Sequence, residues 1–210
     1  MKKKCASLLA ILLAAVLLLT GCYGNKDQEI ESSHSLQVLL AAPYVTDEHA
    51  NALKDELSTA HPELFTDAPP LSVQYVLMGD GKSDPSLMVA GVTKIAAMFS
   101  AKEIELMICD ADNARRYGEN GENYVPLDTL FTQAEQQELG IKAAYVPILD
   151  DEGNETGEMS APCGVDLTEN AAVIRLLGNQ EYSAYVIQGQ ANLENAKTAI
   201  RHLLTMETPQ

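Results

Sequence analysis

The residues able to do chemistry lie in a few short stretches. Gly79-Asp80-Gly81-Lys82-Ser83 gathers glycines, a lysine and a hydroxyl, the residue types of a phosphate-cradling loop. That loop requires an earlier glycine where Val76 stands, so the stretch reads as a strand-to-helix turn. Asp110-Ala111-Asp112-Asn113 sets carboxylates at the end of an apolar run. A calcium loop needs oxygen ligands at alternating positions and then a glycine, but Ala114 and Arg115 follow. Asp151 to Glu158 is acid-rich, with its glycines misplaced for such a loop. Both read as solvated turns, and no metal or other cofactor is expected. His49 and His61 stand roughly 18 Å apart along a helix, too far for one metal, and His34 and His202 lie elsewhere. HExxH and GxSxG are absent, and no spacing joins nucleophile, base and orienter. No catalytic residue is assigned, and the chain is not expected to be an enzyme.

Charge narrows the partners. The chain carries 14 basic against 30 acidic residues, a formal net charge of −16. Such a surface repels nucleic acid, so nucleic acid is excluded as a partner. Hydrophobic residues make up 46% of the chain, enough for a real core. Of the cysteines, Cys109 and Cys163 lie in the body of the chain. They form either a disulfide or two small buried hydrophobes.

These residues need elements to hold them. Leu36–Ala42, Leu71–Met78 and Ile104–Cys109 read as buried strands. Between them, Thr46 caps a helix with the stripe Ala50, Leu53, Leu57 and Ala60, stopped by Pro62. Asp84 and Pro85 open a second helix whose expected buried face is Met88, Val92, Ile95 and Phe99. A short helical turn over 112–117 is closed by Gly118. Thr132 and Glu135 form a capping box. Ala144–Leu149 and Glu158–Pro162 flank an acidic hairpin loop. A helix from Thr168 to Leu177, a strand over Ser183–Gln188 and a final helix capped by Asn192 complete the chain. The alternation predicts an α/β class: a three-layer domain with a mainly parallel sheet and helices on both faces.

The amino terminus carries a separate signal. Met1-Lys2-Lys3-Lys4 is basic, and Leu8 to Leu19 is apolar. About 12 residues of helix rise about 18 Å, short of a hydrocarbon core of about 30 Å. This is the pattern of a secretory signal. Leu19-Thr20-Gly21-Cys22 then resembles the bacterial lipobox, Leu-x-Gly-Cys. The resemblance implies palmitate-type acylation at Cys22, cleavage before it, and a lipid anchor facing outward from the cell membrane. Residues 1–21 are thus expected to be a lipoprotein signal peptide, 22–35 a lipidated flexible tether, and 36–210 a compact domain.

Within that domain, 71–131 resembles one lobe of the extracellular solute-binding proteins of ABC transporters, the type II periplasmic-binding-protein fold. The resemblance is carried by the strands and helix up to Asp110, by Tyr117-Gly118-Glu119-Asn120-Gly121, and by Val125-Pro126-Leu127-Asp128. Gly164-Val165-Asp166-Leu167-Thr168 and Tyr185 to Leu204 resemble its closing part. It implies a solute-binding-like module associated with a permease or another surface protein. A scaffold lipoprotein that has lost solute binding is the alternative. The stretch from Asp110 to Ala144 is too short for a second domain of about 50 residues or more, so a single lobe is expected. A ligand would sit outside the carboxyl ends of the strands, with Tyr44, Gly79, Asp80, Ser83 and Asp110 as candidate binding residues.

Replacing Cys22 with alanine is expected to move the protein from the membrane to the soluble fraction and to remove lipid mass. Equal membrane retention by C22A, with no lipid mass on the parent, would contradict the anchor.

Overall fold

The computed structural model describes residues 36–65, 70–79, 83–189 and 192–206. The expected signal peptide, Cys22, the tether and Asp80 lie outside the described residues. All the described residues fall in one compact unit, Ser32–Gln210.

The first strand, β1, Gln37–Ala42, lies inside the sheet, and five of its six residues are buried. It lacks polar alternation because it packs on both faces, as parallel strands under helices do. A Thr46 cap leads into α1, Asp47–Ala60. Thr46 Oγ1 accepts from the His49 amide at 3.5 Å, and His49 Nδ1 accepts from the Thr46 amide at 3.3 Å. This is a capping box with histidine in the glutamate position. Ala50, Leu53 and Leu57 are buried, whereas Ala60 is exposed at the helix end. A 3-10 turn, Pro62–Phe65, precedes β2, Ser72–Leu77.

Helix α2, Pro85–Ser100, starts as expected, with Asp84 Oδ1 accepting from the Leu87 amide at 3.0 Å. Its buried line is Gly91, Ile95 and Met98, with Val92 and Phe99 half-buried at the margins. The face is therefore rotated from the expected stripe. Gly91 explains the rotation: a Cβ there would stand 2.9 Å from Met78 Sδ and 3.1 Å from the Leu77 carbonyl oxygen. The missing side chain lets the helix lie close on β2.

Strand β3, Leu106–Cys109, is wholly buried, and α3, Ala111–Gly118, follows at once. Gly118 is the last residue of that helix, and Glu119, at φ 44°, supplies the left-handed C-cap expected of the glycine. The Gly118 Cα instead lies against the Tyr124 ring, where a Cβ would meet Cε2 at 2.7 Å. Short helices α4, Leu127–Leu130, and α5, Gln133–Glu138, follow, the latter with the expected Thr132–Glu135 box. The strand expected over Ala144–Leu149 is split. β4, Ala143–Ala144, belongs to the main sheet, while β5, Pro147–Leu149, pairs with β6, Glu155–Met159, in a separate hairpin. The chain returns as β7, Gly164–Asp166, then α6, Ala171–Leu177, then β8, Ser183–Val186, and ends in α7, Leu193–Thr205.

The main sheet has six strands in the order β2-β1-β3-β8-β7-β4. β1 runs parallel to both β2 and β3, but β3/β8, β8/β7 and β7/β4 are antiparallel. The expected mainly parallel sheet is thus corrected to a mixed one. β4 feeds the projecting hairpin and β7 receives it, so those two strands run in opposite directions. The apolar run that made β8 legible reports burial and carries no direction.

Helices cover both faces. Val38 and Leu40 of β1, Leu106 and Ile108 of β3, and Ala184 and Val186 of β8 pack with Leu53, Leu57, Ile200 and Leu203. Leu39, Met107, Cys109 and Tyr185 point the other way, toward Ile95, Met98 and Ala114. One buried acid joins three elements at the opposite edge. Glu105, 6% exposed, accepts from the Gln37 amide at 2.9 Å and from the Asn192 amide. Burial pushes its carboxyl above the ordinary range, against those two hydrogen bonds.

Cys109 and Cys163 are buried free thiols, so the candidate disulfide is absent. The register gives the reason. Cys109 lies opposite Ser183 of β8, and Cys163 enters β7 on the far side of β8. Two strand spacings, about 9–10 Å, exceed the Cα reach of about 7 Å for a disulfide. Burial raises both thiols above their ordinary pKa, which disfavours the reactive thiolate. Alkylation in denaturant without reductant is expected to label both Cys109 and Cys163, read by peptide mass. A Cys109–Cys163 cross-linked peptide would overturn the register argument.

Candidate functional site

The parallel seam creates a crevice. β1, β2 and β3 all deliver their carboxyl ends to one edge, where the chain turns away into α1, α2 and α3. A cavity of about 240 Å³ opens there. Pro43 follows β1, Met78 and Gly79 follow β2, Met88 lies in the first turns of α2, and Asp110, Asp112, Asn113 and Arg116 come from α3 and its cap. Gly79 sits at φ +66°, and a Cβ would stand 3.4 Å from the Asp84 carbonyl oxygen. A glycine is needed for this turn.

Asp110 is the pivot. Its Oδ1 accepts from the Asn113 amide at 2.8 Å and from Asn113 Nδ2 at 2.9 Å. It therefore caps α3 and holds Asn113 at the same time. Asn113 is only 3% exposed, and its Nδ2 also points to the Ala41 carbonyl at 3.5 Å. Desolvation is the largest influence on Asp110 and raises its pKa. The Asn113 hydrogen bonds and the Arg116 charge act in the opposite direction, and Asp112 adds to the rise. Arg116 is exposed on the crevice wall.

Of the candidate residues, Gly79 and Asp110 line this crevice together. Tyr44 follows Pro43 but is 68% exposed and does not line it. Ser83 is exposed ahead of the α2 cap and is also outside the lining. Asp80 is outside the described residues. Sequence reasoning missed Asn113, Arg116 and the thioethers Met78 and Met88 as site residues. The signal for the first two was available: positions 110, 113 and 116 follow one side of a helix that starts at a strand end.

A larger groove of about 570 Å³ lies between the end of α1 and α7. Glu135 there accepts from Lys197 Nζ at 2.8 Å and from Arg201 Nη2 at 2.7 Å. The Lys197 hydrogen bond, with the Thr132 amide behind it, holds its carboxyl down at about 2. His202 meets Glu56 at 3.0 Å and His61 meets Glu63 at 3.0 Å, with the two imidazoles edge to face at 5.1 Å. Most of its charges satisfy one another, so the groove reads as an ion-pair network that ties helices together. His61 thus finds His202 rather than His49. Among the described residues no three His, Cys, Asp or Glu side chains are placed to hold a metal ion. In the hairpin loop, Asp150 Oδ1 accepts from the amides of Glu152 and Asn154 at 2.9 and 2.8 Å, closing the turn on itself.

The chain matches no protein-family model, no curated protein and no solved structure. No described helix is long and apolar enough to cross a membrane.

Asp110→Asn keeps an N-cap side chain and removes a desolvated charge. A carboxyl raised in the folded state favours folding at low pH, and that advantage fades as pH rises through its folded value. D110N is expected to melt at or above the parent at pH 7, with the difference shrinking as pH falls through the raised folded-state value and gone below about 4, where the carboxyl is protonated in both states. A clear destabilisation by D110N at neutral pH, removed by acid, would reverse this sign.

Proposed function

We propose that this chain is an outward-facing lipoprotein, anchored through acylated Cys22, whose single α/β lobe serves as a solute-binding module. Its partner is a permease of the ABC type or another surface protein. The observation that carries the reading is the crevice at the carboxyl ends of β1, β2 and β3, where Asp110, Asn113 and Arg116 converge beside Met78 and Met88. Open α/β sheets bind ligands at such strand ends. A small concave site with a few polar groups set among apolar walls is the ordinary form of a solute pocket. The parallel seam with its helical crossovers supports likeness to one lobe of the type II solute-binding fold. The lipobox supports the anchor.

A second reading, a lipoprotein that acts only through protein contacts, is favoured by Tyr44 and Val89. They are exposed by 68% and 66%, and each is a chain neighbour of a crevice residue, Pro43 or Met88. The polar lining favours the first reading, because Arg116 lines the crevice with no carboxylate to hold among the described residues.

The test is a thermal-shift screen of amino acids, peptides, sugars and metal ions on the full chain in detergent. A solute at a hundredfold excess over its dissociation constant stabilises by about 2.7 kcal/mol, a rise of roughly 5–10 °C for a domain of this size. Met88→Trp, which sets an indole over the crevice, is expected to abolish that rise while leaving the unliganded melting temperature within a few degrees. Silence across the whole screen, or a shift untouched by M88W, would favour the protein-contact reading.

A further inference from the structure

The unmatched atoms of the crevice identify a class of solute. Asn113 Nδ2 faces two acceptors, Asp110 Oδ1 and the Ala41 carbonyl, so the amide cannot be turned over without setting oxygen against oxygen. Its Oδ1 accepts no hydrogen bond among the described residues, although the side chain is 97% removed from water by a relative exposure of 3%. A buried acceptor left without a donor is costly and calls for a partner. Asp110 presents the same deficit: both its recorded bonds fall on Oδ1, leaving Oδ2 without a donor among the described residues. Both side chains line the one crevice, and two unmatched acceptors there suit a group with several N–H donors and positive charge.

Arg116 supplies the complement. It lines the same crevice, and its charge acts on the Asp110 carboxyl. Among the described residues it forms no ion pair with a carboxylate, unlike Arg115, which holds Asp112 and Glu155, or Arg201, which holds Glu135. Arg116 stands six residues beyond Asp110, about 9 Å along the helix. The guanidinium fork can therefore hold one end of a short molecule whose other end rests on the acceptors. We infer that the crevice takes a small zwitterion, its ammonium on Asp110 and Asn113 and its carboxylate on Arg116.

Charge balance separates the zwitterion from simpler ions. A plain amine leaves Arg116 facing another cation. A plain carboxylate sets a third negative charge beside Asp110 and Asp112. A zwitterion answers each charge with its opposite and adds no net charge. The thioethers of Met78 and Met88 form a pliable apolar wall for the rest of the molecule. A cavity of about 240 Å³ suits an amino acid better than a sugar chain or a peptide, since drug-sized ligands occupy about 300 Å³ or more.

This inference rests on the crevice being a solute site, and the experiment separates the two. The full chain in detergent is titrated calorimetrically with the twenty standard amino acids. The best binder is then compared with the amine lacking its carboxylate and with the acid lacking its ammonium. Binding is expected from at least one amino acid, with both truncated analogues at least tenfold weaker. Asp110→Asn and Arg116→Gln are each expected to weaken it at least tenfold, while Arg175→Gln on α6 leaves it unchanged. Circular dichroism checks that each variant is folded. An amine that binds as well as the intact amino acid, or a sugar that binds when no amino acid does, would overturn the zwitterion while leaving the solute site standing. No binding by any solute class would remove both.

Discussion

The structure depends on the burial of β1 on both faces. A strand with five of six residues buried cannot sit at a sheet edge or leave a face in water. It needs a neighbour on each side and a helix layer above and below. The chain meets this with β2 and β3 as parallel neighbours, and parallel neighbours cannot be joined by a tight turn. Long crossovers follow of necessity, α1 on one route and α2 on the other. Since all three strands run the same way, all three end at one edge. The crevice is therefore a geometric product of β1 burial and not an addition to the fold.

The same constraint explains what was legible in the sequence. Largely apolar runs named β1, β2 and β3, and side-chain caps at Thr46, Asp84, Thr132 and Asn192 placed helix starts closely. Those signals are local. Strand direction is not local, and the carboxyl half shows it. β8 enters between β3 and β7 and opposes both, although its residues read like those of any buried strand. The helix face of α2 was misjudged for a related reason. Periodicity identifies a stripe, but the close approach allowed by Gly91 decides which residues lie at its centre.

The site was half legible. Strand ends are predictable once strands are, so Gly79 and Asp110 were found. Tyr44 and Ser83 lie near the same edge, yet short loops turn them outward. Asn113 was passed over because asparagine beside aspartate reads as a solvated turn. Its 3% exposure comes from tertiary packing against the end of β1, which the hydrogen bond to the Ala41 carbonyl records. A capping aspartate that must also hold a buried amide is a coincidence of helix start and strand end, and only the assembled sheet brings the two together.

Electrostatics then distinguish the two cavities. The groove beside α7 is larger and holds more charge, but most of its ionic groups are answered by a neighbour of this chain: Glu135 by Lys197 and Arg201, His202 by Glu56, Glu63 by His61. A ligand entering it would have to displace interactions that already exist. The crevice is smaller, and its polar atoms are incompletely matched. Desolvation already works against the Asp110 carboxylate, and among the described residues Arg116 has no carboxylate to hold. Unmet polar groups cost stability in the empty protein and return that cost to whatever satisfies them. On the proposed reading the crevice stays open on one side, because a single lobe cannot close over a solute. Lower affinity would follow from the exposed remainder of such a solute, and a second surface closing the cleft would raise it by removing that remainder from water. A partner that docks only on the occupied crevice would, by linkage, hold the solute more tightly for as long as it stays.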